Sequence, residues 1–428
     1  MSFFDSFGKT FPKLDIDIKL VYTCIRGEFM IQRPEYLDEL KRWKDKDLIK
    51  VVTGIRRCGK STLFELFISY LKENDVKDEQ IIHINLENAD YDFKDYKELY
   101  TYISNQIDKN KQYYVFLDEV QNVPDFQKAV DGLYIKKNVD VYITGSNAYL
   151  LSGELATLLS GRYIEIKMLP LSFKEYVSAF DDKNYQQLFL NYMKNGGMPG
   201  NISILKTKSN DIDKYLDGIF STIVYKDIML RNNISDKMLL ESVLKFIFDS
   251  IGSPISTKKI SDTLTSKGMS TSNHTVENYI TAFLESFLIY KAERFDVKGK
   301  NLLARDYKYY AVDSGLRSYL LGKKADSDMG HILENIVYLE LLRRGYNVYV
   351  GKVDDLEVDF VAENRDGLKY YQVALTVRDE KILERELRSL QKTGDHYPKI
   401  LLTLDMDLEA DYNGITKINV IDWLLKEE

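Results

Sequence analysis

"VVTGIRRCGKSTLF" (Val51–Phe64) sets a β-branched run before Gly54 and an apolar helical pattern after Ser61. The stretch follows G-x-x-x-x-G-K-[ST], with Gly54, Gly59, Lys60 and Ser61 at the fixed positions. That pattern also arises by chance, so context decides its meaning. Upstream, "LIKVVT" (48–53) reads as a short strand; downstream, Leu63, Leu66, Phe67 and Tyr70 recur at helical spacing. In the order strand, glycine loop, helix, backbone N–H groups and a helix N-terminus converge on an anion. The spacing predicts a phosphate cradle formed by Gly54, Ile55, Arg56, Arg57, Cys58, Gly59, Lys60, Ser61 and Thr62. Lys60 is expected to reach the β- and γ-phosphates of a nucleotide such as ATP, and the Ser61 hydroxyl to ligate Mg²⁺. Arg56 and Arg57 hold variable positions, where only the backbone need face phosphate. Their side chains are expected to point toward a lid or a neighbouring subunit.

A nucleotide loop of this kind needs an apolar strand ending in acid. "QYYVFLDEVQNV" supplies one, with Tyr113 to Leu117 as the strand and Asp118 and Glu119 at its end. Asp118 is expected to hold Mg²⁺ through a water or through Ser61, and Glu119 to polarise the attacking water. The Asp-Glu pair favours hydrolysis over binding alone. Three further stretches extend the site. "IIHINLEN" reads as another strand, and its Asn85 is a candidate to hydrogen-bond Glu119 and hold it in check. "VDVYITGSNAYLL" closes a strand on Ser146 and Asn147, placed to sense a γ-phosphate. "ELATLLSGRYIEI" reads as a helix, then Arg162, then another strand. Polar residues after strands are also common turn formers, and that reading stays open for each.

Composition bounds the rest. The chain has 428 residues, enough for several domains, with 44% hydrophobic and 29% charged residues. No apolar run reaches the ~18 residues of a membrane span, and the first 29 residues lack the apolar block of a signal peptide. Two cysteines and four scattered histidines exclude a disulfide scaffold and a Cys/His zinc cluster. A cytoplasmic location is expected. The net charge of −7 argues against a chain wholly devoted to nucleic acid, but not against one domain with a basic face.

Taken in order, "IQRPEYLDEL", "VVTGIRRCGKSTL", "FLDEVQNV", "ITGSNAYLLSGELATLLSGRY", "LPLSFKEY" and "NGGMPG" resemble a prokaryotic AAA+-related ATPase family. Its members join the ATPase to a C-terminal domain of unknown function, which "KYYAVDSGLRSYLLG" and "LENIVYLELLRRGYNVYV" resemble. The resemblance implies an α/β fold: a P-loop three-layer ATPase core with helical lid, winged helix-turn-helix and a C-terminal α/β nuclease-like domain. It also implies a sensor at Ser146 or Asn147 and an arginine finger at Arg162 directed at a neighbour's nucleotide, hence a homo-oligomer. Arg162 acting within its own subunit, or capping the sheet, is the alternative.

Expected boundaries are an ATPase core over 30–176, a lid over 177–237, a winged helix over 238–300, a linker over 301–325 and the nuclease-like domain over 326–428. "IRGEF" before Met30 resembles a translated ribosome-binding site, so residues 1–29 are expected to be a non-native extension. In the lid, Asp227 and Arg231 lie one helical turn apart, suited to an i,i+4 ion pair, or with Arg231 as a second sensor. Ser256 and Gly268 mark a helix-turn-helix whose Asn273, His274 and Asn278 are of the type that read base edges, although such a fold also serves as a packing module. DNA, or a protein partner, is the expected macromolecule, and no membrane is expected. In the last domain, Glu334, Asp359 and the triplet Gln372-Val373-Ala374 follow the PD-(D/E)xK nuclease order, where a helix Glu, a strand Asp and a (D/E)-x-K triplet gather Mg²⁺. The neutral Gln372 and the missing lysine predict an inactive site, an active nuclease being the alternative.

The overall expectation is an ATP hydrolase that couples nucleotide state to a partner, with a slowly hydrolysing switch as the competing class.

Overall fold

The computed structural model describes residues 23–25, 28–148, 159–207, 211–322 and 328–426. Strands β1 (Thr23–Ile25) and β2 (Glu28–Met30) form a small antiparallel hairpin that spans the end of the expected extension and Met30.

The first large unit is a five-stranded sheet in the order β4-β5-β6-β3-β7: β3 (Ile49–Thr53), β4 (Ile81–Asn85), β5 (Tyr113–Asp118), β6 (Val139–Gly145) and β7 (Tyr163–Lys167). All its pairings are parallel. Successive strand residues face opposite sides, which explains the continuous apolar runs: a parallel sheet is covered on both faces. Val52, Phe116 and Tyr142 pack with Phe64 and Phe67 of the helix Lys60–Glu73. Val51, Val115 and Ile143 pack with the helices Tyr96–Ser104 and Phe126–Tyr134 through Leu99, Ile103, Val130 and Leu133. Each fully buried side chain of this size stabilises by ~1.5–3 kcal/mol.

Parallel strands bring their C-terminal ends to one edge. Gly54 follows β3 there, Asp118 ends β5, and Ser146 follows β6. Arg162 lies at the opposite edge, before β7, where its carbonyl accepts from the Ile49 N–H at 2.8 Å.

Helices Phe173–Ser178, Tyr185–Asn195, Gly200–Lys206 and Ile212–Thr222 follow, and a π-helical stretch, Ile223–Met229, continues the last of these. Helices Thr257–Ser266 and Asn273–Glu285 are capped by the Ser256 and Ser272 hydroxyls, and Gly268 turns between them at φ 86°.

Residues 301–325 were expected as linker. Instead β9 (Asn301–Ala311) pairs antiparallel with β8 (Ile289–Asp296), and the helix Ser314–Leu321 follows. The reason is burial on both faces: Lys308 and Tyr310 are buried on one face of β9 and Tyr309 and Ala311 on the other, and Asp313 caps the helix after it. The Asp313 carboxylate also accepts from the Gly197 N–H at 2.6 Å, tying the "NGGMPG" turn to this helix. A Cβ at Gly196 would lie 2.2 Å from the same carboxylate, so the contact requires glycine.

β8 and β9 belong to an eight-stranded mixed sheet in the order β14-β15-β13-β12-β11-β10-β8-β9. The added strands are β10 (Asn347–Val353), β11 (Leu356–Asn364), β12 (Gly367–Ala374), β13 (Lys399–Thr403), β14 (Ala410–Asp411) and β15 (Ile415–Asn419). Helices Met329–Arg343, Glu380–Gln391 and Val420–Leu425 pack on this sheet. Among the described residues no helix is long and apolar enough to cross a membrane.

Candidate nucleotide site and a second acidic pocket

The glycine loop is clamped from behind. Gly54 has φ 151°, and a Cβ there would sit 2.2 Å from the Met168 carbonyl oxygen. Arg33, buried, donates to the carbonyls of Cys58 (2.9 Å) and Leu169 (2.7 Å) and pairs with Glu175 at 2.7 Å. Lys60 opens the helix and turns back into the loop, donating to the Gly54 carbonyl at 3.0 Å and lying 3.3 Å from Glu119. Ile55 and Cys58 are fully buried, Ser61 is exposed and Thr62 is half-buried.

At the end of β5, Thr144 supports both acids. Its hydroxyl donates to Asp118 Oδ1 and accepts from the Glu119 N–H at 2.9 Å. Burial raises the Asp118 pKa, opposed by the nearby Ser61 and Thr144 hydroxyls. Burial also works to raise that of Glu119, but the Lys60 ammonium and the Gln121 amide prevail and hold it below its ordinary value. Gln121 Nε2 donates to Glu119 at 2.5 Å and reaches Ser146 Oγ at 3.4 Å.

Asn85 does not take the role expected of it. Its side-chain oxygen accepts from the Glu87 N–H at 2.9 Å in an Asx turn, and its amide nitrogen makes no hydrogen bond to Glu119 among the described residues. Gln121 restrains Glu119 instead, two residues away in sequence and unnoticed there. Ser146, which Gln121 reaches, is buried, and so is Asn147 after it.

Asp118 Oδ2 is buried and makes no hydrogen bond among the described residues. With Ser61 beside it, this free lone pair fits a hydrated Mg²⁺, an ion that keeps several waters and needs few protein ligands.

Arg56 is buried and points into the lid. Its guanidinium meets Asp227, on the π-helical stretch, at 2.9 and 3.1 Å, and Glu87 at 2.6 Å. Asp227 is therefore committed to Arg56 rather than to Arg231, contrary to the i,i+4 expectation. Arg57, left-handed at φ 68°, is exposed. Arg162 pairs with Asp131 at 2.6 Å. Its place at the far edge of the sheet removes it from its own subunit's glycine loop. The helix expected before it, over "ELATLL", lies outside the described residues except for Leu159.

The C-terminal sheet gathers a second polar group. Glu334, Asp359 and Gln372 line one cavity of about 760 Å³. Gln372 is tied down: Nε2 donates to Glu386 at 2.9 Å, and Oε1 accepts from the Asp359 N–H and from Ser389 at 3.3 and 3.2 Å. A lysine outside the triplet reaches this group. Lys308 on β9, 2% exposed at its side chain, lies 3.2 Å from Glu334 and 2.7 Å from Glu357.

A glycine loop between strand and helix, an acid-ended neighbouring strand and polar residues after the next strand define a P-loop core of AAA type. Residues 46–177 match a family model described as an AAA domain, and residues 186–327 one described as a domain of unknown function (DUF8612). An uncharacterised protein of Haemophilus influenzae is 41% identical over 403 residues, covering 93% of this chain and 99% of that protein. An uncharacterised protein of Methanocaldococcus jannaschii is 31% identical over 369 residues, covering 80% and 78%. The chain belongs to the family of these proteins, with an AAA domain followed by a domain of unknown function. Among solved structures, the Walker-type ATPase of Pyrococcus abyssi aligns with a TM-score of 0.48 at 15% identity, covering 68% of this chain and 96% of that one.

Proposed function

We propose that this protein hydrolyses ATP in a Mg²⁺-dependent reaction and transmits the state of the site through its lid to a bound partner. The observation that carries the reading is the meeting of Lys60, Asp118, Glu119, Thr144 and Ser146 at one edge of a parallel sheet, with a buried carboxylate oxygen left open. When bound, ATP and Mg²⁺ supply the anhydride to be cleaved and a divalent charge that neutralises its oxygens. Lys60 leaves its loop carbonyl and Glu119 to bind phosphate. Glu119, released from Lys60, accepts the proton of the attacking water, and Thr144 keeps both acids in register. Ser146 and Asn147 orient the water and report the γ-phosphate. Arg162, at the far edge, serves a neighbouring subunit, which makes the working form a homo-oligomer.

The partner we favour is DNA, met by the helix Asn273–Glu285 and the β8–β9 hairpin as a winged helix. His274 and Asn278 are exposed on that helix, which supports the reading. Steady-state ATPase assays with and without duplex DNA, set beside Glu119→Gln, test both halves. Turnover unaltered by Glu119→Gln would falsify the mechanism, and turnover indifferent to DNA would point to a protein partner.

The second reading is a switch that binds nucleotide and rarely hydrolyses it. The Lys60–Glu119 pair favours it, because it must be exchanged when nucleotide arrives. A single turnover far slower than nucleotide exchange would select this reading.

A further inference from the structure

In a nuclease-like fold, carboxylates on a helix and on neighbouring strands converge because a divalent cation offsets their repulsion. Here the helix Met329–Arg343 brings Glu334 and β11 brings Glu357 and Asp359 to one cavity. Three carboxylates so close need a cation, and this chain contains one. Lys308 projects from β9 on the same face as Tyr310, two residues on, so both side chains enter the cavity wall together. Both reach the same atom, Glu334 Oε1, Lys308 at 3.2 Å and Tyr310 at 2.7 Å. Lys308 also lies 2.7 Å from Glu357 and close enough to Asp359 to feel its charge. Asp359 Oδ2 is meanwhile engaged by the Val373 N–H at 2.8 Å.

The usual metal-ligating position of the triplet is closed as well. Gln372 Nε2 is 2.9 Å from Glu386. A carboxylate in its place would face another carboxylate at that distance, so the neutral amide is the residue this wall permits. Among the described residues no group of three or more His, Cys, Asp or Glu is arranged to hold a metal. The residues present do not fit a divalent ion.

We infer that the Lys308 ammonium is a built-in counter-ion standing where a nuclease-like domain would carry its metal, among Glu334, Glu357 and Asp359. The pocket is then a metal-free one. The inference rests on the nuclease-like reading of this domain and needs nothing from the nucleotide site, so failure of the ATPase assays leaves it untouched.

The test uses the nucleotide-free full-length protein and Mn²⁺ as probe, with uptake read by electron paramagnetic resonance of the free ion. Wild type and Asp359→Asn should take up equal amounts. Lys308→Met keeps the bulk of the side chain and removes its charge; it should gain one Mn²⁺ site, lost again in Lys308→Met/Asp359→Asn. A Mn²⁺ site in wild type that disappears in Asp359→Asn overturns the inference. So does a folded Lys308→Met, checked by circular dichroism, that gains no site. Should Lys308→Met not fold, the comparison of wild type with Asp359→Asn still decides: equal uptake supports the built-in cation, and a loss refutes it.

Discussion

Arg56 of the phosphate loop grips Asp227 of the lid through two guanidinium–carboxylate contacts, at 2.9 and 3.1 Å, with both side chains nearly buried. A buried pair broken on one side leaves a charge without its partner, at a cost of about 3–5 kcal/mol. Because Glu87 still holds Arg56, Asp227→Ala should lie toward the lower end of that range. Urea unfolding of Asp227→Ala, Arg56→Ala and the double variant measures the coupling. Additive single losses would mean that loop and lid are not joined here.

Thr144 predicts a kinetic effect without a binding effect. Thr144→Val keeps the shape and removes the support for both Asp118 and Glu119. Turnover should fall about 10–100-fold, the usual range for a residue that orients a site's ligands, with ATP affinity nearly unchanged. Single-turnover hydrolysis and fluorescent-nucleotide titration separate the two.

Arg162 predicts complementation between subunits. Arg162→Ala should lose about 10³-fold in turnover, within the range known for arginine fingers, and still bind nucleotide. Mixed with Lys60→Ala, which cannot load its own site, it should regain activity, because hybrid interfaces pair an intact finger with an intact loop. Full activity of Arg162→Ala alone would return Arg162 to a structural role beside Asp131.

Asp313 predicts a pH dependence of stability. Burial pushes its pKa up to about 6 from the ordinary 3.8, against the backbone N–H groups of Leu316 and Gly197. A raised carboxyl favours the folded state most when protonated, below the unfolded pKa, and that contribution fades as pH rises through 6. Between pH 7 and pH 4 it amounts to about 2–3 kcal/mol. Relative to Asp313→Asn, the wild type should therefore gain stability on acidification across this window. Parallel unfolding curves for the two proteins at pH 4.5 and 7 would contradict it.

The glycine loop and the acid pair were legible because their chemistry is local: strand, loop and helix are contiguous, and Asp118 and Glu119 end one apolar run. Gln121 displaced Asn85 as the partner of Glu119 because a short side chain at a strand end closes first on its own turn. Thr144, Arg33 and Lys308 lie in stretches that stand out in the sequence, but their partners are 25 or more residues away, so their roles emerge only in the fold. Residues 301–325 read as linker since Lys308 sets a charged residue in a buried stretch, a pattern that makes sense only once Glu334 and Glu357 are beside it. The Asp227–Arg231 spacing suggested a local pair, but the lid presents Asp227 to Arg56 instead.

The seam between β8 and β10 has a consequence for how this chain can be cut. The match to the domain of unknown function ends at residue 327, yet β8 pairs in parallel with β10, from Val350 to Lys352, across that boundary. A fragment ending there would bare the backbone of β8 as an open edge, which recruits other strands and aggregates. The sheet makes the helix pair and the C-terminal domain a single inheritable piece, with β8 as the strand neither can leave behind.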